Sequence, residues 1–596
     1  MFQLVHRDGL ARIGELTVGK RKLKTPTILP VIHPFKPEPW LSEVKKLKID
    51  GIITNSYILK KGDYRKDRNL HDYLNFDGII MTDSGTFQEH MYGDIETGNR
   101  EMIEFQTSIG SDIVTIRDVF SEIDHSREEV QRGMETTYER GKEASLISQS
   151  YLALPVQGGL FPDLRVKSAE LMQSIGGEYY PIGGIVPLME RYRYSDVIEI
   201  ILRSKQGLRS SSVVHAFGAG HPMFFPLLFL AGVDVVDSSA YIKYAREDRI
   251  IVDTGTIELK EIAEELPPSP YFDGISLGEL KQMKDDERRD IIAKHNLYFT
   301  VKEISKVREE IRQENLWNYA EYRSRSHPLL LEAYRRLLTF YDFIEKYESK
   351  SKKSPVFYTG PETLERPLIK RFIAKESVSG NFKKEIRKPY SYFLDKPEEA
   401  VETPFGNISL FLDETYPVAQ SLFPGEYYEK DFDIEKFTRP EWDRYLKLKI
   451  DYIFKYQFGK GLFEIIPMEN IELLRSKNTG KIRNVLTNGQ IILSLRASDG
   501  LFSINLNSSR LLHDNFPYPS HRVVIDGEVT EFVKEGRNVF SKFIRDADDG
   551  IRPGDEVIIV DENDILIAYG RTLMNKKEML EFKQGMAIKN RIKSKE

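Results

Sequence analysis

Short apolar runs rich in β-branched residues recur through the first part of this 596-residue chain, and amphipathic stretches such as residues 127–150 and 163–174 separate them. Buried strands that alternate with helices form parallel sheets. Eight such units favour a closed (β/α)8 barrel over an open sheet, so we predict an α/β fold of this kind. The eight runs are Thr27–Ile32, Gly51–Thr54, Gly78–Met81, Ile113–Ile116, Leu152–Val156, Tyr180–Val186, Val213–Phe217 and Val233–Val236.

The composition narrows the possible classes of function. A chain of this length is too long for a single core. Its net charge of −6 excludes a generally basic nucleic-acid binder, so nucleic-acid contacts require a local patch. The chain has no cysteine, which excludes disulfides, thiolate catalysis and cysteine-ligated metals. We find no signal-peptide pattern and no apolar run near the roughly 20 residues of a membrane helix, so we expect a cytoplasmic protein without a membrane partner.

Polar or glycine-rich residues follow six of the predicted strands. Asp83 follows the third run, Asp118 the fourth, Gln157 the fifth, Gly218-Ala-Gly-His221 the seventh and Asp237 the eighth, and Gly183-Gly184 lies in the sixth. Any one of these is most simply a loop cap or a turn. Six together favour an active site, because barrel enzymes place their chemistry at the carboxyl ends of the strands. The glycines let the backbone close on a flat ligand.

Five ordered segments carry most of these residues: Thr82-Asp-Ser-Gly-Thr-Phe87-Gln, Pro155-Val-Gln-Gly-Gly159, Gly183-Gly-Ile-Val-Pro187, His215-Ala-Phe-Gly-Ala-Gly-His221-Pro and Asp237-Ser-Ser-Ala-Tyr241. Together they resemble the archaeal tRNA-guanine transglycosylases, and the resemblance continues to the C-terminus. It implies a modified (β/α)8 TIM barrel, followed by small α+β modules and a C-terminal β-barrel PUA domain. It also implies an enzyme that exchanges guanine 15 in the tRNA D-arm for the deazapurine preQ0, in archaeosine biosynthesis.

Base exchange on an intact backbone requires a double displacement. One carboxylate attacks C1′, guanine leaves, and the new base then displaces the carboxylate, as in a retaining glycosidase. A second acid manages the proton of the leaving and entering bases. The resemblance implies that Asp237 is the nucleophile and Asp83 the general acid/base, although the residues alone allow the reverse assignment.

The resemblance also implies a set of base-binding groups. Asp118 would read the purine-like edge, helped by Gln157 and the backbone of Gly184 and Ile185, and Phe87 would stack on the ring. Two of these residues have simpler alternatives. Phe87 could be ordinary core packing, and Gln157 could be a loop amide whose hydrogen bonds are already satisfied.

One segment departs from the family pattern. Its members hold a structural zinc through three cysteines and a later histidine, and these positions are Pro268, Pro270, Asp273 and His295 here. One histidine and one aspartate cannot complete the tetrahedral site that zinc prefers. We therefore predict no zinc and no other cofactor, with the two prolines stiffening the loop.

Composition shifts predict the domain organisation. We expect a catalytic barrel at residues 1–346, a charged serine-rich linker at 347–354, and α+β modules at 355–440 and 441–517. Residues 518–596 resemble a PUA domain, whose end is basic. There we predict a strip that contacts tRNA phosphates, although a solvated basic tail is the simpler reading. The strip comprises Arg571, Lys576, Lys577, Lys589 and Arg591.

The resemblance implies tRNA as partner, with the PUA domain at the acceptor end and the D-arm at the barrel, and typically a homodimer. The target base must be extruded to reach the carboxylates. Two alternatives are an archaeosine-synthase-like paralogue, which uses a nucleophilic cysteine, and a non-catalytic tRNA-binding subunit. The absence of cysteine argues against the first, and the presence of Asp83, Asp118 and Asp237 argues against the second.

Overall fold

The computed structural model describes residues 1–62, 64, 68–86, 98–148, 150–376, 400–403, 406–412, 414–422 and 439–592. The chain divides into two units. The first comprises Met1–Arg312 and Tyr319–Phe340, and the second comprises Gln313–Asn318 and Tyr341–Glu596. Within the described residues, no helix is both long enough and apolar enough to cross a membrane.

The strands of the first unit form a small antiparallel sheet, the barrel and a hairpin, in that order along the chain. They are β1 Phe2–Asp8, β2 Ala11–Val18, β3 Arg21–Thr25, β4 Thr27–Pro30, β5 Gly51–Asn55, β6 Ile79–Asp83, β7 Ile113–Thr115, β8 Tyr151–Ala153, β9 Tyr179–Ile182, β10 Val213–Ala216, β11 Val235–Ser238, β12 Arg249–Val252 and β13 Gly255–Glu258.

The barrel is a parallel sheet of the eight strands β4 to β11, in the order β4-β11-β10-β9-β8-β7-β6-β5. A parallel bridge between Val31 and Ile53 brings its two outer strands together. The backbone N–H of Ile32 donates to the carbonyl of Ile53 at 2.9 Å at the same point. The sheet therefore closes on itself, and the carboxyl ends of all eight strands share one mouth.

Helices follow most of the barrel strands, as the (β/α)8 pattern requires. The helix at 127–147 begins with a capping box in which Ser126 and Glu129 bond each other's backbone N–H. The helices are α1 Trp40–Lys46, α2 Ser56–Lys61, α3 Leu70–Leu74, α4 Asn99–Ser108, α5 Arg127–Ile147, α6 Pro162–Ser174, α7 Val186–Glu190, α8 Tyr194–Gly207, α9 Phe225–Leu230, α10 Ala240–Arg246, α11 Leu277–Gln282, α12 Asp285–Arg312, α13 Leu316–Ser324 and α14 Pro328–Leu338.

The predicted α/β barrel is confirmed, because each of the eight predicted runs overlaps one barrel strand. The largest boundary error lies in the sixth run. The sixth run was extended to Val186, but β9 ends at Ile182, and Val186 begins α7. Gly184 lies between them with φ +76°, a left-handed conformation that ends the strand. The antiparallel sheet β1-β2-β3 was not predicted.

Among the described residues, the second unit contains six helices, two two-stranded sheets and two larger sheets. Its strands are β14 Val356–Phe357, β15 Ala400–Thr403, β16 Gly406–Ser409, β17 Ser421–Leu422, β18 Ile471–Arg475, β19 Ile482–Thr487, β20 Gln490–Leu495, β21 Phe502–Ile504, β22 Arg522–Ile525, β23 Val539–Phe540, β24 Ile544–Ala547, β25 Glu556–Val560, β26 Leu566–Thr572 and β27 Met586–Asn590. Its helices are α15 Tyr341–Ile344, α16 Pro367–Glu376, α17 Arg439–Phe458, α18 Leu506–Asn515, α19 Thr530–Lys534 and α20 Lys576–Glu581.

Two sheets organise the end of this unit. Strands β18 to β21 form an antiparallel sheet in chain order, and β22 to β27 form a six-stranded sheet in the order β23-β27-β26-β25-β22-β24. Phe454 of α17, Phe502 of β21 and Ile558 of β25 belong to one hydrophobic core. Because this core spans the predicted modules, the boundaries between them stay predictions.

The segment predicted to be a charged serine-rich linker, residues 347–354, is partly buried within the second unit. Tyr347, Glu348 and Ser351 are buried. The carboxylate of Glu348 accepts a hydrogen bond from Nε1 of Trp317 at 2.7 Å and pairs with Nζ of Lys352 at 2.8 Å. The buried polar side chains of this segment therefore make hydrogen bonds and ion pairs inside the second unit.

Candidate active site

Three carboxylates converge at the mouth of the barrel. Asp83 ends β6, Asp118 follows β7, and Asp237 lies in β11. Burial, together with the negative charges of Asp118 and Asp237, raises the pKa of Asp83 to about 7, although the backbone N–H groups of Ser84 and Gly85 oppose the shift. The structure therefore brings together the three acids that the sequence placed after separate strands.

Asp83 is held by the neighbouring strand. Nδ2 of Asn55 lies 3.3 Å from Oδ2 of Asp83, and the hydroxyl of Ser56 donates to the Asp83 carbonyl at 2.6 Å. Asn55 also caps α2, where its Oδ1 accepts from the N–H of Ile58 at 2.9 Å. The end of β5 thus fixes both the backbone and the side chain of Asp83.

Asp237 is bound through one of its two oxygens. Its Oδ1 accepts the backbone N–H of Gly218 at 2.7 Å and lies 3.0 Å from Nε2 of His215. His215 is fully buried, and its Nδ1 lies 2.9 Å from the hydroxyl of Tyr179. His215 begins one of the five segments that resemble the family. The sequence alone predicts no role for it, because it lies inside an apolar run.

Asp118 and Gln157 form one polar edge. Nε2 of Gln157 donates to Oδ2 of Asp118 at 2.5 Å, and the hydroxyl of Thr86 also bonds this carboxylate. Burial nevertheless raises the pKa of Asp118 above its usual range. Gln157 is fully buried, and within the described part of the chain its Oε1 has no hydrogen-bond partner. An acceptor left unpaired in a pocket calls for a donor from a ligand.

Gly183 is required beside this amide. A Cβ on Gly183 would lie 2.2 Å from Nε2 of Gln157, so a larger residue would displace the amide. Gly184 follows it with φ +76°, and Ile185 is buried next to it. Phe87, predicted to stack on the base, lies outside the described residues.

Arg165 joins the two loops that carry these groups, and sequence reasoning missed it. Its buried guanidinium donates to the carbonyls of Gly159 at 2.8 Å, and of Val156 and Gly183 at 3.0 Å. Burial lowers its pKa to about 9. The only sequence signal is an arginine on the inner face of the amphipathic stretch that became α6.

The residues at the family's zinc positions do not fit a zinc site. The side chains of Pro268 and Pro270 have no ligand atom, and Asp273 is exposed. His295 is buried, with Nε2 at 2.9 Å from the carbonyl of Ile251 and its ring stacked on Phe272 at 4.6 Å. Across the described ranges, no group of three or more His, Asp or Glu side chains could hold a metal.

An apolar cluster packs this loop instead. Phe272 is buried together with Ile250, Leu280 and Ile292, and Leu266 packs against them. Contacts of this kind stabilise a loop without a metal. The absence of zinc stays a prediction that rests on the ligand set.

The predicted basic strip divides into engaged and exposed residues. Nε of Arg571 donates to a backbone carbonyl at 2.8 Å, Nζ of Lys576 lies 2.9 Å from Asp546, and Nη1 of Arg591 lies 2.9 Å from Glu556. Lys577 and Lys589 are exposed, and Nζ of Lys577 lies 4.0 Å from the carboxylate of Glu581 one turn along the same helix.

Glu556 explains why the arginines are engaged. This carboxylate is buried, and its two oxygens lie 2.9 Å from Nη1 of Arg496 and of Arg591. Burial raises its pKa, and the charge of Arg571 is among those that oppose the shift. A buried acid needs such partners, so these guanidinium groups are committed to the interior of the unit.

Comparison with known proteins adds family matches along the chain. The family model described as queuine tRNA-ribosyltransferase matches residues 8–329. The model for the patch-forming domain C2 of tRNA-guanine transglycosylase matches residues 449–519, and the PUA domain model matches residues 521–593.

Similar full-length proteins include the tRNA-guanine(15) transglycosylase of Methanocaldococcus jannaschii, 38% identical over 648 aligned residues, with 99% of each chain covered. The proteins of the same name from Thermococcus onnurineus and Pyrococcus furiosus are each 39% identical. Those alignments cover 99% of this chain, and 98% and 97% of the two relatives.

Proposed function

Because this chain belongs to the tRNA-guanine transglycosylase family, we propose that it replaces guanine 15 of tRNA with preQ0 through a covalent glycosyl-enzyme. Membership makes it a transglycosylase that acts on tRNA guanine in archaeosine synthesis, and its second unit ends in a PUA domain. The observation that carries the finer proposal is the convergence of Asp83, Asp118 and Asp237 at one barrel mouth.

The chemistry uses two of these acids in turn. A carboxylate oxygen of Asp237 attacks C1′ of the target nucleotide, and the bond between C1′ and N9 of guanine breaks. The electron pair leaves with guanine, which takes a proton from Asp83. In the second step Asp83 removes a proton from the incoming base, whose N9 attacks C1′ and releases Asp237.

The raised pKa of Asp83 supports this division of roles. With a pKa of about 7, this acid can both give and take a proton near neutral pH. Asp237, in contrast, accepts the backbone N–H of Gly218 on Oδ1, which fixes the orientation of this side chain for attack. The reverse assignment would need Asp83 ionised while it is buried beside two other acids.

The base edge supports a purine-like substrate. Guanine and preQ0 both present a ring N–H and an exocyclic amine on one edge. The unpaired Oε1 of Gln157 and the carboxylate of Asp118 are acceptors that match such donors. Stacking by Phe87 stays a prediction, as do the homodimer, the cytoplasmic location and the metal-free state.

The tRNA contacts follow from charge and exposure. Among the predicted strip, Lys577 and Lys589 are exposed and are the residues that we propose for phosphate contact. Arg571, Lys576 and Arg591 bond other groups of the second unit, so they shape the domain rather than bind RNA directly.

The test is incorporation of labelled guanine or preQ0 into unmodified tRNA, with the adduct followed on a denaturing gel. Wild type should incorporate either base, and Asp237→Asn should bind tRNA but form no adduct. Asp163→Asn is the matched control, because this carboxylate is exposed on α6. Tight tRNA binding without incorporation by wild type would favour a non-catalytic subunit, and activity only on tRNA that already carries preQ0 would favour the paralogue.

A further inference from the structure

We propose that Oδ2 of Asp237 is the attacking atom and that His215 and Tyr179 are positioning residues that hold the carboxylate in this orientation. The inference rests on the proposed glycosyl transfer and adds to it the identity of the reacting oxygen. It also gives a role to two buried polar side chains that the exchange reaction itself does not use.

The two oxygens of Asp237 differ in their surroundings. Oδ1 accepts the N–H of Gly218 at 2.7 Å and faces Nε2 of His215 at 3.0 Å. Over the described residues, these are the hydrogen bonds that reach the carboxylate, and Oδ2 receives none. Donors occupy the lone pairs of Oδ1, so the oxygen that retains its lone pairs for attack on C1′ is Oδ2.

His215 must carry its proton on Nε2 to donate to Asp237. Its other nitrogen, Nδ1, lies 2.9 Å from the hydroxyl of Tyr179. Tyr179 is fully buried, and burial raises its pKa well above the usual range, so the phenol keeps its proton. A phenol that donates to Nδ1 leaves the imidazole proton on Nε2, and this sets the tautomer that Asp237 requires.

Packing fixes the positions of Tyr179, His215 and Asp237. The ring of His215 meets those of Tyr179 and Phe217 edge-on, with centroids 5.7 and 4.7 Å away. His215 lies in β10, next to the strand that carries Asp237. Gly218 reaches its position with φ +70°, a conformation that other residues adopt at a cost. The donors are therefore fixed before substrate binds.

The arrangement also serves the second displacement. In the glycosyl ester, Oδ2 is bonded to C1′ and Oδ1 is the carbonyl oxygen. When the incoming base displaces the ester, negative charge returns to the carboxylate. Two donors already aimed at Oδ1 stabilise that charge as it develops, in the manner of an oxyanion hole.

The test measures adduct formation in a single turnover with saturating tRNA. His215→Leu, which cannot donate, should slow the reaction on the order of 10²-fold, with the Kd for tRNA unchanged. His215→Gln should recover most of this rate, because its side-chain amide can donate to Oδ1. Tyr179→Phe, which removes a single hydroxyl, should slow the reaction about tenfold.

Controls separate this inference from the proposed function. The melting temperature of each variant checks folding, and Tyr179→Phe remains informative if both His215 variants unfold. Absence of adduct in wild type would overturn the proposed function itself. An adduct in wild type, with folded His215→Leu or Tyr179→Phe equally fast, would overturn only the positioning role. Equal slowing in His215→Leu and His215→Gln would show that packing, not donation, matters.

Discussion

Arg12 binds Asp234 through two hydrogen bonds of 2.8 Å, one to each carboxylate oxygen, across 222 residues of sequence. The backbone N–H of Val214 donates to the same carboxylate at 2.9 Å. Asp234 precedes β11, whereas Asp237 lies near the carboxyl end of that strand. Two acids three residues apart thus serve opposite ends of the barrel.

We expect Asp234→Asn to lower the free energy of unfolding by about 3–5 kcal/mol, because it leaves the buried guanidinium of Arg12 without its charged partner. Asp237→Asn should abolish adduct formation with a change in stability below about 1 kcal/mol, since the amide oxygen still accepts both donors. Urea denaturation measures the first quantity and the denaturing gel the second. Loss of adduct formation in Asp234→Asn, together with loss of stability in Asp237→Asn, would show that the roles assigned to these two acids are wrong.

The pKa of Asp83 predicts a pH dependence of the first chemical step. Asp83 is protonated below about pH 7 and can then protonate the leaving guanine. The single-turnover rate of adduct formation should therefore fall about tenfold per unit as the pH rises above this value. Asp83→Asn should remove both the activity and the dependence. A rate that stays flat from pH 6 to 9 in wild type would exclude Asp83 as the acid.

The same pKa makes a prediction for stability. The folded-state pKa of about 7 exceeds the value of 3.8 expected for an unfolded aspartate, so the folded protein binds the extra proton between these values. Stability contributed by Asp83 is therefore full below about pH 4 and declines as the pH rises to 7. Asp83→Asn should be more stable than wild type at pH 8, on the order of 1–2 kcal/mol, and the gain should shrink at pH 5. Guanidinium unfolding at both values checks the sign.

Arg165 should control the affinity for the base rather than for tRNA. Arg165→Met removes the donor that the carbonyls of Val156, Gly159 and Gly183 share. The hydrogen bonds that connect the two loops of the proposed base site are then lost. We expect KM for guanine to rise about 10- to 100-fold while the Kd for tRNA stays constant. Lys167→Met is the matched control, because Lys167 is exposed on the same helix. Equal effects of the two substitutions on KM would contradict this role.

The loop at 266–273 should hold its shape without metal. Treatment with a strong chelator should leave the melting temperature and the exchange rate unchanged, and elemental analysis should find no stoichiometric zinc. Phe272→Ala should cost about 3–5 kcal/mol because it empties part of the apolar cluster. Asp273→Ala, at an exposed position, should change stability by less than about 0.5 kcal/mol. Bound zinc released together with loss of stability would show this interpretation wrong.

The sequence was most informative where burial is continuous. Parallel barrel strands are covered on both faces, so each leaves a run of β-branched residues, and all eight were recognised. Strand β1 is buried only at its two end residues, with exposed and half-buried residues between them, so it leaves no apolar run and the first sheet was missed. A short segment of that kind has no unambiguous period.

Long-range pairing limited the prediction of the site. Nothing local separates Asp234 from Asp237, because the difference lies in Arg12, far away in the chain. His215 and Arg165 read as members of apolar or amphipathic segments, and only the folded structure shows what their nitrogens reach. The three carboxylates could be predicted because the carboxyl ends of parallel strands meet at one edge of the sheet. Applying that rule requires no knowledge of long-range side-chain contacts.

The buried carboxylate of Glu556 changes how strongly RNA binding by the C-terminal strip should respond to salt. Each phosphate that a protein neutralises contributes about 0.7–0.9 to the slope of log affinity against log salt concentration, through release of bound counterions. Five cations would give a slope of about 4. With Arg591 held at Glu556 and Lys576 at Asp546, and Arg571 bonded to a backbone carbonyl, Lys577 and Lys589 remain to displace counterions. The strip should then contribute a slope of about 2 or less, so its contribution to the affinity for RNA falls only gradually as ionic strength rises.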